Sequence, residues 1–170
     1  AVPAVLLVVA ACHALGRVQV SSFDAKTRLL APHALSTWGG REVDLARRRG
    51  SPLTVVMTDI DWFRNVNNTH GHQAGDLVLA HVARQLTAAS RSTDLAFRFG
   101  GEELMLLLPD TTVDGGAAIA ERFRELLRTS PAEWRGTVIE VTASLGVAQL
   151  RADESLDEVM LRADAALLEA

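Results

Sequence analysis

The sequence predicts an α+β fold with a ferredoxin-like βαββαβ core, in which an antiparallel central sheet is flanked by helices and an N-terminal helix precedes the core. Three observations lead to this prediction. Strand-like apolar runs alternate with segments of helical periodicity, two of those runs are separated by only a few residues, and the order of elements matches the core. A length of 170 residues with 48% apolar side chains suffices for one domain of this kind.

The first half of the core is predicted to contain a helix, a strand and a second helix. Pro32 can open a helix over residues 32–50. The β-branched run PLTVVMTDI then predicts a buried strand that ends at Asp59. The polar residues 61–73 are predicted to be irregular, whereas apolar side chains recur at helical spacing over residues 74–90.

A hairpin is predicted where two strand-like runs, DLAFRF and ELMLLLP, flank Gly100 and Gly101. Glycine suits a two-residue hairpin turn because such turns need positive φ angles. Beyond the hairpin, helical periodicity returns over residues 113–130, and residues 137–150 predict one or two strands with a break near Glu140.

The chain ends in a further predicted helix, over residues 155–170, with Ser155 and Glu158 at the spacing of a capping box. At the other end, the apolar residues 1–12 are shorter than the roughly 20 residues of a membrane span. They are interpreted as the inner end of a transmembrane helix, as a connecting helix from an upstream module, or as a helix packed on this domain. We therefore divide the chain into an N-terminal helix, residues 1–22, and a domain, residues 23–170.

Composition limits the compartment and the partners. Cys12 is the only cysteine, which excludes an internal disulfide and suits a reducing compartment. A cytoplasmic domain is therefore expected. It is either free or tethered to the inner face of a membrane through its N-terminal segment. The formal net charge of −4 argues against general nucleic-acid binding, because backbone phosphates require clustered positive charge.

Carboxylates are expected to meet at one edge of the predicted sheet. Asp59 ends the first core strand, and Glu102 and Glu103 lie at the tip of the neighbouring hairpin. Hard oxygen ligands of this kind suit Mg²⁺ or Mn²⁺, especially when substrate phosphates complete the coordination shell. An isolated Gly-Gly-Glu-Glu would more often be a solvated turn, but the run from Asp59 to Asp76 favours a metal site.

These motifs together resemble the GGDEF domains of diguanylate cyclases, bacterial signalling enzymes whose fold is similar to that of nucleotide cyclases and polymerase palms. RFGGEEL resembles the signature hairpin of the family, DIDWFRNVNNTHGHQAGD resembles its second signature, and VTASLGVA resembles a later strand. The similarity runs from about Asp24 to the C-terminus. It implies condensation of two GTP molecules into cyclic di-GMP by two domains that face each other in a homodimer.

The resemblance also implies roles for individual residues. Asp59 and Glu102 would bind the divalent metal with the carbonyl of Ile60, Glu102 would be the base for the ribose 3′-hydroxyl, and Glu103 would support the metal site. The side chains implied in guanine recognition and substrate binding are Asn67, Asp76 and His72. Gly100 and Gly101 would allow GTP to approach the backbone. The backbone amides implied in binding the terminal phosphates are those of Trp62, Phe63 and Arg64.

Arg91 and Asp94 resemble the product-inhibition site of the family, RxxD, which implies feedback inhibition by cyclic di-GMP. An exposed ion pair between these two side chains is the alternative interpretation. A sensor that binds cyclic di-GMP or GTP without catalysis, and a cyclase acting on a single nucleotide, are the alternative functions.

The chain also departs from the family pattern. DAKTRLLAPH keeps only Asp24, Thr27 and Leu29 of the usual DxLTGLxNRR, and the sequence ends at ALLEA, before the Lys and Arg that follow in the family. Weaker GTP binding is expected from the second departure.

Overall fold

The computed structural model describes residues 22–169. The predicted N-terminal helix, residues 1–22, therefore lies almost entirely outside the described part of the chain. Within the described part, no helix is both long enough and apolar enough to cross a membrane.

Residues 22–169 contain five helices and six strands, and the elements predicted from the sequence follow one another in the predicted order. The helices are α1 Leu35–Arg49, preceded by a single 3-10 turn at Pro32–Ala34, α2 Phe63–His70, α3 His72–Ala89, α4 Val113–Thr129 and α5 Leu156–Leu168. The strands are β1 Leu53–Ile60, β2 Leu95–Arg98, β3 Glu103–Pro109, β4 Ala132–Trp134, β5 Thr137–Ile139 and β6 Ala143–Gln149.

The central sheet confirms the predicted fold class. Its strands lie in the order β2-β3-β1-β6, and every neighbouring pair is antiparallel. The two middle strands, β1 and β3, are the first and third strands of the βαββαβ order, as the ferredoxin-like core requires. β4 and β5 form a separate two-stranded sheet.

Both faces of the sheet are buried, because the side chains of each strand alternate between two helical layers. On β3, Leu104 and Leu106 belong to one apolar cluster with α3 and α4, while Met105 and Leu107 belong to a second cluster with α1 and α5. The near-continuous apolar run ELMLLLP follows from this double burial.

Residues 61–73 were predicted to be irregular, and this prediction is wrong. The segment forms α2 and the start of α3, separated by Gly71 at a φ of 85°. Phe63 and Val66, three residues apart, bury their side chains against the core. An eight-residue helix gains most of its stability from such packing rather than from local propensity, so its polar composition concealed it.

Other differences are smaller. The capping box of Ser155 and Glu158 is confirmed, as is a break between the strands at residues 137–150. β4 had not been predicted, because three residues carry too little pattern. The predicted hairpin is present, but residues 99–102 connect its strands, and neither Gly100 nor Gly101 adopts a positive φ. Their role in the hairpin is therefore different from the one predicted.

Candidate metal and nucleotide site

Asp59 and Glu103 lie side by side at one end of the sheet. They are direct partners in the register between β1 and β3. Met57 and Met105, two residues away on each strand, are buried in the cluster with α1 and α5. Since side chains two residues apart in a strand share a face, both carboxylates project on that same face.

The electrostatic environment of Asp59 is negative. Partial burial raises the pKa of its carboxyl above the ordinary value of 3.8, and the charges of Glu102, Glu103 and Asp61 raise it further. In the part of the chain that the structure describes, no hydrogen bond to the Asp59 side chain offsets this repulsion. A cation bound here would relieve the repulsion.

We expect Asp59→Asn to raise the melting temperature at neutral pH. A carboxyl whose folded-state pKa is raised destabilises the fold above that pKa, and this penalty disappears below the unfolded value of 3.8. The difference in melting temperature between Asp59→Asn and wild type should therefore become smaller as the pH falls toward about 4. Circular dichroism melts would measure it, with the exposed Asp153→Asn as control. An unchanged or lower melting temperature for Asp59→Asn at neutral pH would contradict the expectation.

Asp61 holds the loop that follows β1. Its two carboxylate oxygens accept hydrogen bonds from Thr142 Oγ1 at 2.6 Å and Ser144 Oγ at 2.8 Å, and its backbone N donates to the Thr142 carbonyl. These bonds tie the end of β1 to β6. Both carboxylate oxygens of Asp61 are thus engaged in holding the loop.

The absence of a side chain at Gly100 makes room for Glu103. A Cβ on Gly100 would lie only 2.2 Å from Oε2 of Glu103, whereas one on Gly101 would meet no atom within 4 Å. The backbone amides of Phe99 and Gly100 both donate to the Glu103 carbonyl. Gly100 thus permits the Glu103 carboxylate to fold back over the turn, while Gly101 leaves the tip open.

Arg98 braces the hairpin, and sequence reasoning had assigned it no role. Its guanidinium donates to the carbonyls of Gly100 at 3.2 Å and Gly101 at 2.8 Å, and to Asp24 Oδ2 at 3.0 Å. Burial raises the pKa of Asp24, but hydrogen bonds from Thr27 and the Arg98 charge outweigh burial and lower it overall. In the sequence, only the retained Asp24 and Thr27 of the DxLT-like segment pointed to this interaction with Arg98.

Asn67 on α2 lies close to the part of α3 that carries Asp76. Asn67 Oδ1 lies 2.0 Å from where a Cβ on Gly75 would be, so its amide rests against the backbone beside Asp76. Asp76 Oδ1 lies 2.6 Å from Lys26 Nζ, a partner that the sequence had not suggested. His72 is the exposed first residue of α3 in the same stretch.

The start of α2 presents backbone amides near the end of β1. Helix N-termini carry amides without intrahelical acceptors and attract anions, which suits the implied role of residues 62–64. The Phe63 side chain is buried against the core, whereas the Trp62 side chain anchors neither the loop nor the core. Trp62 is 85% exposed and adopts a left-handed conformation at φ 56°. The Arg64 side chain is exposed.

Arg91 and Asp94 lie in the turn between α3 and β2. Asp94 Oδ2 accepts a hydrogen bond from the Arg91 backbone amide at 2.6 Å, and Asp94 Oδ1 is buried without a partner. Among residues 22–169 no ion pair joins the two side chains, so the alternative of an exposed pair does not hold in this structure.

The carboxylates of Asp59, Glu102 and Glu103 suit a hard divalent cation whose remaining coordination positions are filled by a ligand. Within residues 22–169 no three His, Cys, Asp or Glu side chains are gathered closely enough to hold a metal alone. Mg²⁺ commonly takes only one or two carboxylates from the protein and the rest from water and phosphates. The negative charge around Asp59 therefore suits such an ion.

The known proteins that this chain resembles in sequence are diguanylate cyclases. A family model described as "Diguanylate cyclase, GGDEF domain" matches residues 21–170. Diguanylate cyclase A of Treponema denticola is 42% identical over 118 residues, which are 69% of this chain and 32% of that protein. Diguanylate cyclase DgcP of Pseudomonas aeruginosa is 37% identical over 147 residues, 86% of this chain and 22% of that protein. The chain thus spans about a third or less of these relatives.

Two solved structures extend the similarity to the fold. Diguanylate cyclase SiaD of Pseudomonas aeruginosa, in complex with its activator SiaC, superimposes with a TM-score of 0.84 at 35% identity, covering 96% of this chain and 63% of that one. The GGDEF domain of DgcB from Caulobacter crescentus, in complex with c-di-GMP, superimposes with a TM-score of 0.84 at 30% sequence identity. The match covers 88% of this chain and 89% of that one.

Proposed function

The chain belongs to the GGDEF domain family, and from this membership we propose that it is a diguanylate cyclase, condensing two GTP molecules into cyclic di-GMP with release of two pyrophosphates. In each of two steps a ribose 3′-oxygen bonds to the α-phosphorus of the other nucleotide, the bond from that phosphorus to the bridging oxygen breaks, and the hydroxyl proton leaves to a base. The observation that carries the proposal is the pairing of Asp59 with Glu103 beside Glu102 in a negatively charged environment.

Metal binding is assigned to the carboxylates of Asp59 and Glu102 and the carbonyl of Ile60, with Glu103 in support. A bound Mg²⁺ or Mn²⁺ would stabilise negative charge on the attacking and leaving oxygens. Glu102, in the connection between β2 and β3, is the proposed acceptor of the 3′-hydroxyl proton. Arg98 supports this assignment, because its bonds to the carbonyls of the turn restrict where Glu102 can lie.

Substrate binding is assigned to both sides of this centre. Asn67 and Asp76 would read guanine, with His72 in the same stretch, and the open tip at Gly100 and Gly101 would admit the nucleotide. The sites proposed for the terminal phosphates are the backbone amides of Trp62, Phe63 and Arg64 at the start of α2.

Catalysis is proposed to require a homodimer. The domain is proposed to act in the cytoplasm. One domain of this family holds one GTP, so both reacting nucleotides are positioned only when two domains face each other. Residues 1–22 would connect the domain to an upstream sensory or membrane module, which could bring two domains together.

The direct test is to incubate the chain with GTP and Mg²⁺ and measure cyclic di-GMP by mass spectrometry. Fusing residues 1–170 to a dimeric coiled coil would supply the second domain at high effective concentration. Product formation that increases on dimerisation is expected. Binding of cyclic di-GMP without any product from the fused dimer would instead support the alternative of a non-catalytic sensor.

Product inhibition is proposed at Arg91 and Asp94. The buried, unpartnered Asp94 Oδ1 supports this, because such an oxygen is costly unless a ligand donates to it. The Arg91 guanidinium can bind a phosphate or the Hoogsteen edge of guanine. The DgcB structure, a complex with c-di-GMP, shows that a structurally similar domain binds this molecule.

We expect Arg91→Ala to weaken inhibition by cyclic di-GMP at least tenfold with little change in the initial rate, because Arg91 lies outside the metal site. Initial rates measured against added cyclic di-GMP would give the inhibition constant. Arg84→Ala, an exposed charge removed from α3, is the matched control. Unchanged inhibition in Arg91→Ala would place the inhibitory site elsewhere.

A further inference from the structure

Lys26 is the only lysine in the chain, and it contacts a residue of the proposed guanine site. Its Nζ lies 2.6 Å from Asp76 Oδ1, and the two side chains are 50% and 49% exposed. A surface ion pair as exposed as this contributes little to stability, typically well under about 1 kcal/mol. The position of Lys26, beside the carboxylate proposed to bind guanine, indicates a role in ligand binding instead.

The loop carrying Lys26 is held in place at its backbone. Asp24 Oδ1 accepts hydrogen bonds from the backbone amides of Lys26 at 3.1 Å and Thr27 at 2.8 Å, and from Thr27 Oγ1 at 2.8 Å. The other oxygen of Asp24 binds Arg98, which also holds the hairpin. Lys26 thus reaches Asp76 from a fixed point rather than from a free loop.

Three kinds of polar group lie in this region: the ammonium of Lys26 contacts the carboxylate of Asp76, and the amide of Asn67 rests against Gly75, the residue before Asp76. The 2-amino group and N1–H of guanine are donors that a carboxylate accepts, and O6, next to N1, is an acceptor. Adenine carries an amino donor where guanine has O6. An ammonium beside the carboxylate oxygen that receives N1–H is within reach of O6, because O6 is next to N1.

We propose that Lys26 determines base specificity by donating a hydrogen bond to O6 of the purine held by Asp76. This inference rests on the proposed binding of GTP at Asn67 and Asp76. A site built to donate to O6 leaves its donor unpaired with adenine and so discriminates against it.

The test is equilibrium binding by calorimetry to wild type, Lys26→Met and Lys26→Arg. The ligands are triphosphates with an α,β-methylene bridge, which cannot release pyrophosphate. Their bases are guanine and hypoxanthine, which have O6, and adenine and 2-aminopurine, which lack it. Arg84→Met, which removes an exposed charge from the helix that carries Asp76, is the matched control, and circular dichroism melts check folding.

We expect Lys26→Met to weaken guanine and hypoxanthine binding about tenfold, to leave 2-aminopurine binding unchanged, and to reduce the preference for guanine over adenine. Lys26→Arg should restore part of the loss, because arginine can also donate to O6. Equal weakening for all four bases would show a charge effect on the phosphates and overturn the proposal. Tighter guanine binding by Lys26→Met would overturn it too, since Lys26 would then obstruct Asp76. Failure of wild type to bind any of the ligands would instead overturn the proposed function itself.

Discussion

Glu102→Gln is expected to reduce cyclic di-GMP formation by on the order of 10³-fold or more. Glutamine keeps the volume of glutamate but has no negative charge for a metal ion and cannot accept the 3′-hydroxyl proton. Glu102 lies in the connection between β2 and β3 and is only partly buried, so the fold should tolerate the change. The loss should appear in kcat more than in KM, because transition-state charge is what the residue would stabilise.

Steady-state assays on the coiled-coil fusion would measure this effect. Glu133→Gln, an exposed change on β4, has the same chemistry far from the site and should retain full activity. The melting temperatures of both variants should match that of wild type. Activity of Glu102→Gln within tenfold of wild type would refute the proposed role of Glu102 as metal ligand and base.

Gly146→Ala is expected to destabilise the fold by about 3 kcal/mol or more. A Cβ on Gly146 of β6 would lie 1.9 Å from the Ala163 carbonyl oxygen and 2.3 Å from the Leu167 backbone N. Both atoms belong to the backbone of α5, so no rotation of a side chain can relieve the clash. α5 would have to move away from the sheet, and the apolar cluster that it forms with α1 would loosen.

Urea unfolding followed by circular dichroism would measure the loss. Gly40→Ala is the matched control, because Gly40 lies within α1 and a Cβ there meets no atom within 4 Å. Alanine is favoured over glycine in a helix by about 0.8–1 kcal/mol, so this variant should be more stable than wild type. A Gly146→Ala midpoint equal to that of wild type would mean that α5 is not packed as closely as described.

The amino-acid sequence determined the features that depend on short-range pattern. Strand and helix order follows from hydrophobic periodicity, and the capping box at Ser155 follows from local hydrogen bonding. The carboxylates of Asp59 and Glu103 could be placed together because a βαββαβ order makes β1 and β3 neighbours in the sheet. The ordered motifs also identified the family correctly.

Only the tertiary structure decided which distant side chains meet. Asp24 and Arg98 are 74 positions apart in sequence and Lys26 and Asp76 are 50 apart, yet both pairs are in direct contact. Such contacts depend on how a loop folds against the sheet and α3, and no local period encodes that. The same reason explains the missed helix α2, which exists because Phe63 packs on a core assembled from distant parts of the chain.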